Sequence, residues 1–158
     1  MQRKKTNRKK VLVAISGGMD PLHIGHVRLI KAAQKLGDEL IIILNNDNWL
    51  KDKKGFVFMP QRERKEMLES ICGVDRVVFT DHQPGEYFKD RSVCRLLKKI
   101  RPHIFANGGD RKPDGDPVPE VALCEKLGIE IIYNVGEGGK VQSSSWLLAK
   151  VAQANRKS

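Results

Sequence analysis

The sequence of residues 11–26 is VLVAISGGMDPLHIGH. Its first five residues are apolar and predict a buried strand, and the Gly17-Gly18 pair that follows predicts a tight turn into a helix. Glycine permits positive φ and lets backbone N–H groups approach a ligand without a Cβ in the way. The N-terminus of the next helix adds unpaired N–H groups and a partial positive charge. The segment therefore predicts a phosphate-binding corner after the first strand.

Apolar runs and helical patterns alternate along the rest of the chain. The unbroken run Leu-Ile-Ile-Ile-Leu at 40–44 is typical of a parallel strand that is covered on both faces. The predicted strands are 11–15, 40–44, 76–79, 103–106 and 129–133, and the predicted helices are 27–36, 61–71, 92–100, 118–127 and 144–152. This order predicts an α/β fold with a doubly wound, Rossmann-like, five-stranded parallel sheet and helices on both faces.

Ligands of doubly wound sheets bind beyond the carboxyl ends of the strands, near the switch in strand order. This rule brings residues 16–20, 45–47 and 107–111 to one crevice. We therefore expect the chemistry of the chain at this edge of the sheet.

Length and composition predict a single soluble domain over residues 11–158. The chain has 158 residues, of which 40% are hydrophobic and 30% are charged. No stretch approaches the roughly 18 consecutive apolar residues of a membrane span, and the N-terminus lacks the pattern of a secretory signal. Cys72, Cys94 and Cys124 have neither zinc-finger nor redox-motif spacing. Free thiols of this kind are typical of the cytoplasm, where we expect the protein.

The net charge of +10 is unevenly distributed. Six positive charges lie in residues 1–10 with no acid among them, which leaves +4 for the rest of the chain. We expect residues 1–10 to form a disordered basic tail, either solvated or in contact with an acidic partner. The tail also suggests a nucleic-acid-binding module. Only 6% of the residues are aromatic and no base-stacking motif is present, so we consider nucleic acid an unlikely ligand.

Two histidines, His23 and His26, follow the glycine pair. At a spacing of three residues on a helix their side chains share one face, and Gly25 between them removes bulk. Two imidazoles beside a nucleotide can donate hydrogen bonds to charge that develops on α- and β-phosphoryl oxygens. A zinc pair is the alternative reading. There is no Glu between the histidines and no further His or Cys nearby, so we predict no metal site.

Residues 17–26, GGMDPLHIGH, resemble the first signature of the nucleotidylyltransferase superfamily, whose pattern is roughly G-x-F/M-D-x-x-H-x-G-H. The similarity is closest to the group of glycerol-3-phosphate cytidylyltransferases and heptose-phosphate adenylyltransferases, and it extends from Val11 to about Ala152. The resemblance implies that His23 and His26 are catalytic and stabilise the α/β oxygens. The nucleotide-binding residues that it implies in this segment are Gly17, Gly18, Met19 and Asp20.

The resemblance also implies an activity. A nucleotidyl group would pass to a small phosphorylated or phosphonylated alcohol or sugar, with release of pyrophosphate. CTP is favoured over ATP by overall similarity alone. Mg²⁺ would arrive with the triphosphate, since the sequence offers no dedicated carboxylate cage. The resembled group is frequently dimeric, so we expect a homodimer; a nucleotide sensor without catalysis is the remaining alternative.

A lysine from a mobile loop after the second strand reaches the phosphates in the resembled group. The corresponding segment is Lys51-Asp52-Lys53-Lys54-Gly55, and Lys53 falls at the matching position. The resemblance therefore implies that Lys53 is catalytic, with Lys51 and Lys54 as alternatives. Several phosphate charges converge in the transition state, and a mobile cation would offset them.

Two later segments complete the implied nucleotide site. Arg64 matches a family arginine that grips phosphate oxygens, and Asn107, Gly109 and Asp110 match a G-G-D element that meets the base and ribose. The acceptor would face Trp49, Tyr87 and Arg111. Because some relatives carry Trp where this chain has Arg111, the identity of the acceptor stays open.

The serines Ser143, Ser144 and Ser145 precede the last predicted helix and resemble the second family signature. Hydroxyl and N–H groups at a helix N-terminus form an anion cradle, and one serine would serve as the N-cap. The resemblance assigns them to the nucleotide, at the β/γ end of the triphosphate. The arginine that precedes this signature in the family falls on Gly138, and Lys140 is the nearest replacement.

Overall fold

The computed structural model describes residues 8–109, 119–136 and 142–156. These residues form a five-stranded sheet in the order β3-β2-β1-β4-β5, with every neighbouring pair parallel. The strands are β1 (Leu12–Gly17), β2 (Glu39–Leu44), β3 (Arg76–Phe79), β4 (Ile104–Ala106) and β5 (Glu130–Ile132). The predicted doubly wound, parallel α/β fold is confirmed, and its switch in strand order lies between β1 and β4.

Helices cover both faces of the sheet. They are α1 (Ile24–Gln34), α2 (Asp47–Lys54), α3 (Gln61–Glu69), α4 (Cys94–Ile100), α5 (Pro119–Leu127) and α6 (Ser144–Asn155), with a short 3₁₀ turn at Glu86–Phe88. Helices α1 and α3 pack on one face, where Ile30 and Leu68 join the core cluster of Val13. Helices α4 and α5 pack on the other face, where Leu97 and Cys124 join the cluster of Ala14. Successive residues of β1 thus point to opposite layers.

The run at 40–44 forms most of strand β2, which is an interior strand of the sheet. Each of its five side chains is at most 1% exposed. Leu40, Ile42 and Leu44 enter one core cluster and Ile43 enters the other, so the strand is covered on both faces as its apolar sequence predicts. Burial of each isoleucine stabilises the fold by about 1.5–3 kcal/mol.

The turn after β1 differs from its prediction. Strand β1 continues to Gly17, which pairs with Leu44 of β2, so this glycine is part of the sheet. The positive φ falls on Met19, at 50°, and the Met19 side chain packs in the core. Helix α1 begins at Ile24, three residues before the predicted start, because His23 acts as its N-cap.

Residues 51–54 lie in helix α2, so the prediction of a loop at 51–55 is wrong for this segment. The Asn46 side chain caps the helix by accepting the Trp49 N–H at 3.0 Å, and Gly55 ends it in the left-handed conformation with φ 83°. The lysines lie in the last turn, where they complement the helix dipole.

Residues 8–10 of the predicted tail have defined contacts. Arg8 pairs with Asp38 at 2.9 Å and Lys10 pairs with Glu39 at 2.6 Å, both at the start of β2. Both pairs are exposed, so they add little stability. The prediction for residues 1–7 lies outside the described residues. Among the helices that the structure describes, none has the length and apolar composition needed to cross a bilayer.

Candidate active site

A cavity of about 560 Å³ opens at the carboxyl edge of the sheet, beside the β1–β4 switch point. The ends of β1, β2 and β4 and the N-termini of α1 and α6 line it. The predicted site residues in its lining are Gly17, Gly18, Met19, Asp20, His23, His26, Trp49, Lys53, Asn107, Gly109, Ser143, Ser144 and Ser145. Arg64 and Tyr87 do not line it. Asp110 and Arg111, as well as Lys140, lie outside the described residues.

The two histidines form the start of helix α1. His23 Nδ1 accepts the Gly25 N–H at 3.1 Å, and His26 Nδ1 accepts the His23 N–H at 3.2 Å. This is a reciprocal capping box made of two imidazoles. The rings stack with centroids 3.7 Å apart at an interplanar angle of 27°. Since each Nδ1 accepts a hydrogen bond, each neutral ring carries its proton on Nε2, on the opposite side of the ring.

Burial fixes the charge state of one ring. Together with the neighbouring His23, burial lowers the pKa of His26 from 6.5 to about 3. His26 is therefore neutral at pH 7 and presents an N–H donor without a full positive charge. A neutral imidazole of this kind can donate its existing N–H, without first taking up a proton, when negative charge develops beside it.

Gly25 is required by the ring of His23. A Cβ at this position would lie 2.9 Å from His23 Cε1 and 3.0 Å from His23 Nδ1. It would also lie 3.6 Å from the carbonyl oxygen of Gln142, just before helix α6. The absence of a side chain at Gly25 thus makes room for the cap and for the close approach of two helix N-termini.

Helix α6 is tied to the turn that precedes α1. Ser143 is its N-cap and accepts the Trp146 N–H at 3.1 Å, and Ser144 Oγ donates to the carbonyl oxygen of Pro21 at 2.9 Å. Two helices therefore direct their partial positive charges at one cavity. Such an arrangement is suited to binding a polyphosphate.

Asp20 organises the loop that follows α2. Its buried carboxylate accepts the N–H groups of Phe58 at 2.9 Å and Met59 at 2.5 Å, and it pairs with Lys54 Nζ at 2.6 Å. Lys54 also donates to the carbonyl oxygen of Asp20 at 2.8 Å. These contacts give Asp20 and Lys54 structural roles beside the cavity.

Lys53 has a different position from the other two lysines. Its ammonium lies 4.7 Å from the centroid of the Trp49 ring, and the residue is exposed and lines the cavity. Lys51 is exposed and does not line the cavity. Trp49 is held in turn by a 3.0 Å hydrogen bond from Nε1 to the carbonyl oxygen of Arg91 and by the edge of the Tyr87 ring. Of the three lysines, Lys53 is therefore the cation best placed to reach a bound phosphate.

Arg64 has a role that its sequence position does not predict. The side chain is fully buried and donates to the carbonyl oxygens of Met59, Gly18 and Asn45 and to the Asp47 carboxylate, at 2.6–2.9 Å. These bonds hold the turn after β1 against the end of β2. The expected phosphate contact does not fit this burial, so we assign Arg64 to positioning the turn.

The cavity lining also includes residues that are absent from the predicted set, among them the polar residues Asn45, Arg91 and Glu120. Asn45 Oδ1 and Glu120 Oε2 are buried acceptors without a hydrogen-bond partner within the described ranges. Asn45 follows a predicted strand and lies in a segment expected at the crevice. No pattern in the sequence pointed to Arg91 or Glu120, because a charged residue near the start of a helix normally belongs to a solvated face.

Comparison with known proteins identifies the family. The family model described as cytidylyltransferase-like matches residues 14–130. The chain belongs to the cytidylyltransferase-like family. This domain is a nucleotidyltransferase-like domain, as the signature at residues 17–26 implies, and the cavity lies at the signature.

This cytidylyltransferase-like domain is similar in sequence to two curated relatives and similar in structure to two solved proteins. It is 35% identical over 125 residues to an FAD synthase of Pyrococcus abyssi, covering 78% of this chain and 80% of the relative. It is 33% identical over 147 residues to the bifunctional protein HldE of Streptomyces coelicolor, covering 92% of this chain and 29% of that protein.

The solved structures show the same fold at lower identity. A lipopolysaccharide core biosynthesis protein of Thermoplasma volcanium has a TM-score of 0.62 at 23% identity, covering 82% of this chain and 100% of that one. The NadR protein in complex with NAD and AMP-PNP has a TM-score of 0.52 at 17% identity, covering 94% of this chain and 43% of that one. These likenesses support the Rossmann-like architecture.

Proposed function

We propose that this protein transfers a nucleotidyl group, CMP or AMP, from its triphosphate to a phosphate oxygen of a small phosphorylated acceptor. The observation that carries the proposal is the capped, stacked pair of His23 and His26. It lies in a cavity at which the N-termini of α1 and α6 meet. Pyrophosphate is the second product.

The reaction requires no covalent intermediate on the protein. An acceptor oxygen attacks the α-phosphorus in line, the bond from that phosphorus to the bridging oxygen breaks, and pyrophosphate leaves with the electron pair. The Nε2–H groups of His23 and His26 donate to the α- and β-phosphoryl oxygens as charge develops there. Lys53 offsets the charge of the acceptor and triphosphate as they converge, and Ser143–145 receive the β/γ end. Catalysis then consists of positioning and charge stabilisation.

CTP and ATP are both candidate donors. The family description favours cytidylyl transfer, as the sequence resemblance does. The FAD synthase relatives favour adenylyl transfer, because FAD contains an AMP unit joined to FMN. The proposal therefore covers both nucleotides, and a sugar phosphate, an alcohol phosphate or a flavin phosphate as the acceptor.

Magnesium stays a prediction. The described segments contain no group of three His, Cys, Asp or Glu side chains that could hold a metal ion. The Asp20 carboxylate is already used by Lys54 and two backbone N–H groups. These residues do not form a protein-built Mg²⁺ site, so the ion would be held by the triphosphate itself.

The cytoplasmic location and the homodimer also stay predictions. The homodimer is tested by light scattering of the purified protein during size-exclusion chromatography. A mass of twice the 17.8 kDa chain supports a dimer, and a mass equal to it contradicts one.

A pyrophosphate-release screen tests the activity. CTP, ATP, GTP and UTP are each combined with glycerol 3-phosphate, sugar 1-phosphates, phosphonates and FMN, in buffer containing Mg²⁺. We expect release with CTP or ATP and at least one acceptor, and at least a hundredfold less with His26→Ala. Tight triphosphate binding without release for any pair would contradict the proposal and favour the nucleotide sensor.

A further inference from the structure

Glu120 is a buried acid in the cavity wall, on the first turn of α5. Only 4% of the residue is exposed. Its Oε1 accepts the Val93 N–H at 3.0 Å, whereas its Oε2 has no hydrogen-bond partner among the residues that the structure describes. A buried carboxylate oxygen without a donor is costly, so this atom is suited to a donor supplied by a ligand.

Hydrogen bonds of Arg91 and Val93 connect Glu120 to the rest of the cavity wall. The segment 91–93 joins it to helix α2: Trp49 Nε1 donates to the Arg91 carbonyl oxygen at 3.0 Å, and the Val93 N–H donates to Glu120. Trp49, Arg91 and Glu120 all line the cavity. We call these three residues the acid corner. The acid corner contains the aromatic ring of Trp49, the exposed cation Arg91 and the buried acceptor Glu120, connected by these two hydrogen bonds.

The acid corner lies across the sheet edge from the histidine pair. His23 caps α1 and His26 lies in its first turn, and this helix packs on the same face as α3. Val93 directly precedes α4 and Glu120 lies on α5, and these helices cover the opposite face. The cavity therefore extends from a side rich in N–H donors to a side with an unpaired acceptor. A carboxylate repels phosphate, so the position beside Glu120 is suited to the uncharged part of a ligand.

We propose that Glu120 is the residue that selects the acceptor, by accepting a hydrogen bond from a hydroxyl group of a phosphorylated polyol or sugar. This inference rests on the proposed function and names the acceptor class within it. The phosphate of the acceptor lies toward Lys53, an exposed cation of the cavity lining. Its carbon skeleton lies against Trp49, and its hydroxyl group reaches Oε2. Acceptors that lack this hydroxyl leave the buried oxygen unpaired and are rejected.

The ribose of the nucleotide also carries hydroxyl groups, so it is the other source of the same chemistry. We assign the acid corner to the acceptor because the Lys53 ammonium lies over the ring of Trp49. In the proposed function, Lys53 is the lysine that meets the acceptor phosphate. Measurement of acceptor binding and nucleotide binding separates the two sources.

The test is a binding measurement that does not require turnover. Calorimetry compares glycerol 3-phosphate with propyl phosphate, and glucose 1-phosphate with cyclohexyl phosphate, with and without α,β-methylene CTP or ATP. The proteins are the full chain, Glu120→Gln and the matched control Glu125→Gln. Glutamine retains an acceptor for the Val93 N–H, and Glu125 is an exposed acid on the same helix. Thermal unfolding of each variant verifies that it is folded.

We expect at least one hydroxylated probe to bind the wild type about 10- to 100-fold more tightly than its hydroxyl-free match, the range for hydrogen bonds to a charged group. Glu120→Gln should reduce this ratio to a few-fold, and Glu125→Gln should leave it unchanged. A ratio near one in the wild type, or an equal ratio in Glu120→Gln, would overturn the proposal.

A nucleotide arm decides the source of the hydroxyl. Binding of CTP and ATP is compared with that of their 2′,3′-dideoxy forms. If Glu120→Gln weakens the binding of CTP and ATP but not that of their dideoxy forms, Glu120 binds the hydroxyl groups of the nucleotide and the inference is wrong. Failure of the proposed function is seen separately, as missing pyrophosphate release despite hydroxyl-dependent binding of the acceptor probes.

Discussion

Ser144 Oγ donates a 2.9 Å hydrogen bond to the carbonyl oxygen of Pro21, across 123 positions of the chain. This bond holds the N-terminus of α6 against the turn that leads into α1. This hydroxyl group therefore helps to hold the positive ends of both helices toward the cavity.

Ser144→Ala should weaken triphosphate binding with a small loss of stability. Removal of one hydrogen bond costs about 1 kcal/mol, and the released α6 terminus would no longer face the cavity in a fixed orientation. We expect the KM for the nucleotide to rise several-fold. Ser144→Thr keeps the hydroxyl group and should restore the wild-type KM; equal KM values for the alanine variant and the wild type would contradict the tether.

His26→Ala should lower kcat by about 10²–10³-fold, as expected when one donor to the developing charge is removed. The lost contact with the His23 N–H should cost about 1 kcal/mol of folding free energy, as for other helix caps. Steady-state kinetics and urea unfolding of the same preparation separate the two effects. Full turnover in a folded variant would remove His26 from the mechanism.

The stability of the protein should depend on pH through His26. The unfolded chain takes up a proton at this residue near pH 6.5, whereas its pKa in the folded protein is about 3. The contribution of the neutral ring is therefore complete above pH 6.5 and is lost progressively as the pH falls toward 3. Urea unfolding at pH 7.5 and pH 4.5 should show that His26→Ala removes about 2–3 kcal/mol of this pH dependence. An unchanged dependence would contradict the lowered pKa.

Lys53→Ala should reduce kcat/KM by about 10- to 100-fold, because a cation is lost beside the converging phosphates. Lys51→Ala is the matched control, since Lys51 is on the same helix, is exposed and does not line the cavity. We expect it to change kcat/KM by less than about twofold, as for a surface charge outside the site. Equal losses in both variants would indicate a general effect of charge.

Arg64→Ala should destabilise the fold. The substitution leaves three carbonyl oxygens and the Asp47 carboxylate without their donor, in a place where the arginine side chain is fully buried. We expect a loss of about 3 kcal/mol or more in the free energy of unfolding. A stable variant with only a raised nucleotide KM would support the phosphate contact that the sequence resemblance implies.

The strands and the histidine pair could be predicted because their signals are local. An apolar run such as 40–44 and a signature such as residues 17–26 carry their meaning without the rest of the fold. Helix α2 was missed because its sequence, DNWLKDKK, has no apolar periodicity and depends on its caps, Asn46 and Gly55.

Arg64 and Glu120 could not be placed from the sequence for a different reason. Arg64 stands among charged neighbours and Glu120 stands in the first turn of a short helix, and a binary pattern assigns charged residues of both kinds to solvent. Their burial comes from partners far along the chain: Gly18 is 46 residues from Arg64 and Val93 is 27 residues from Glu120. Tertiary contacts of this kind are visible only in the folded structure.

The two nitrogens of each imidazole have separate tasks in the proposed mechanism, since Nδ1 caps the helix and Nε2 is the donor to phosphate. Transplanting this chemistry to a designed scaffold therefore means moving a whole backbone turn, glycine included, because rings grafted onto an existing helix would lack the amides that orient them. The backbone geometry of the turn would therefore have to be reproduced before the two histidine side chains are placed on it.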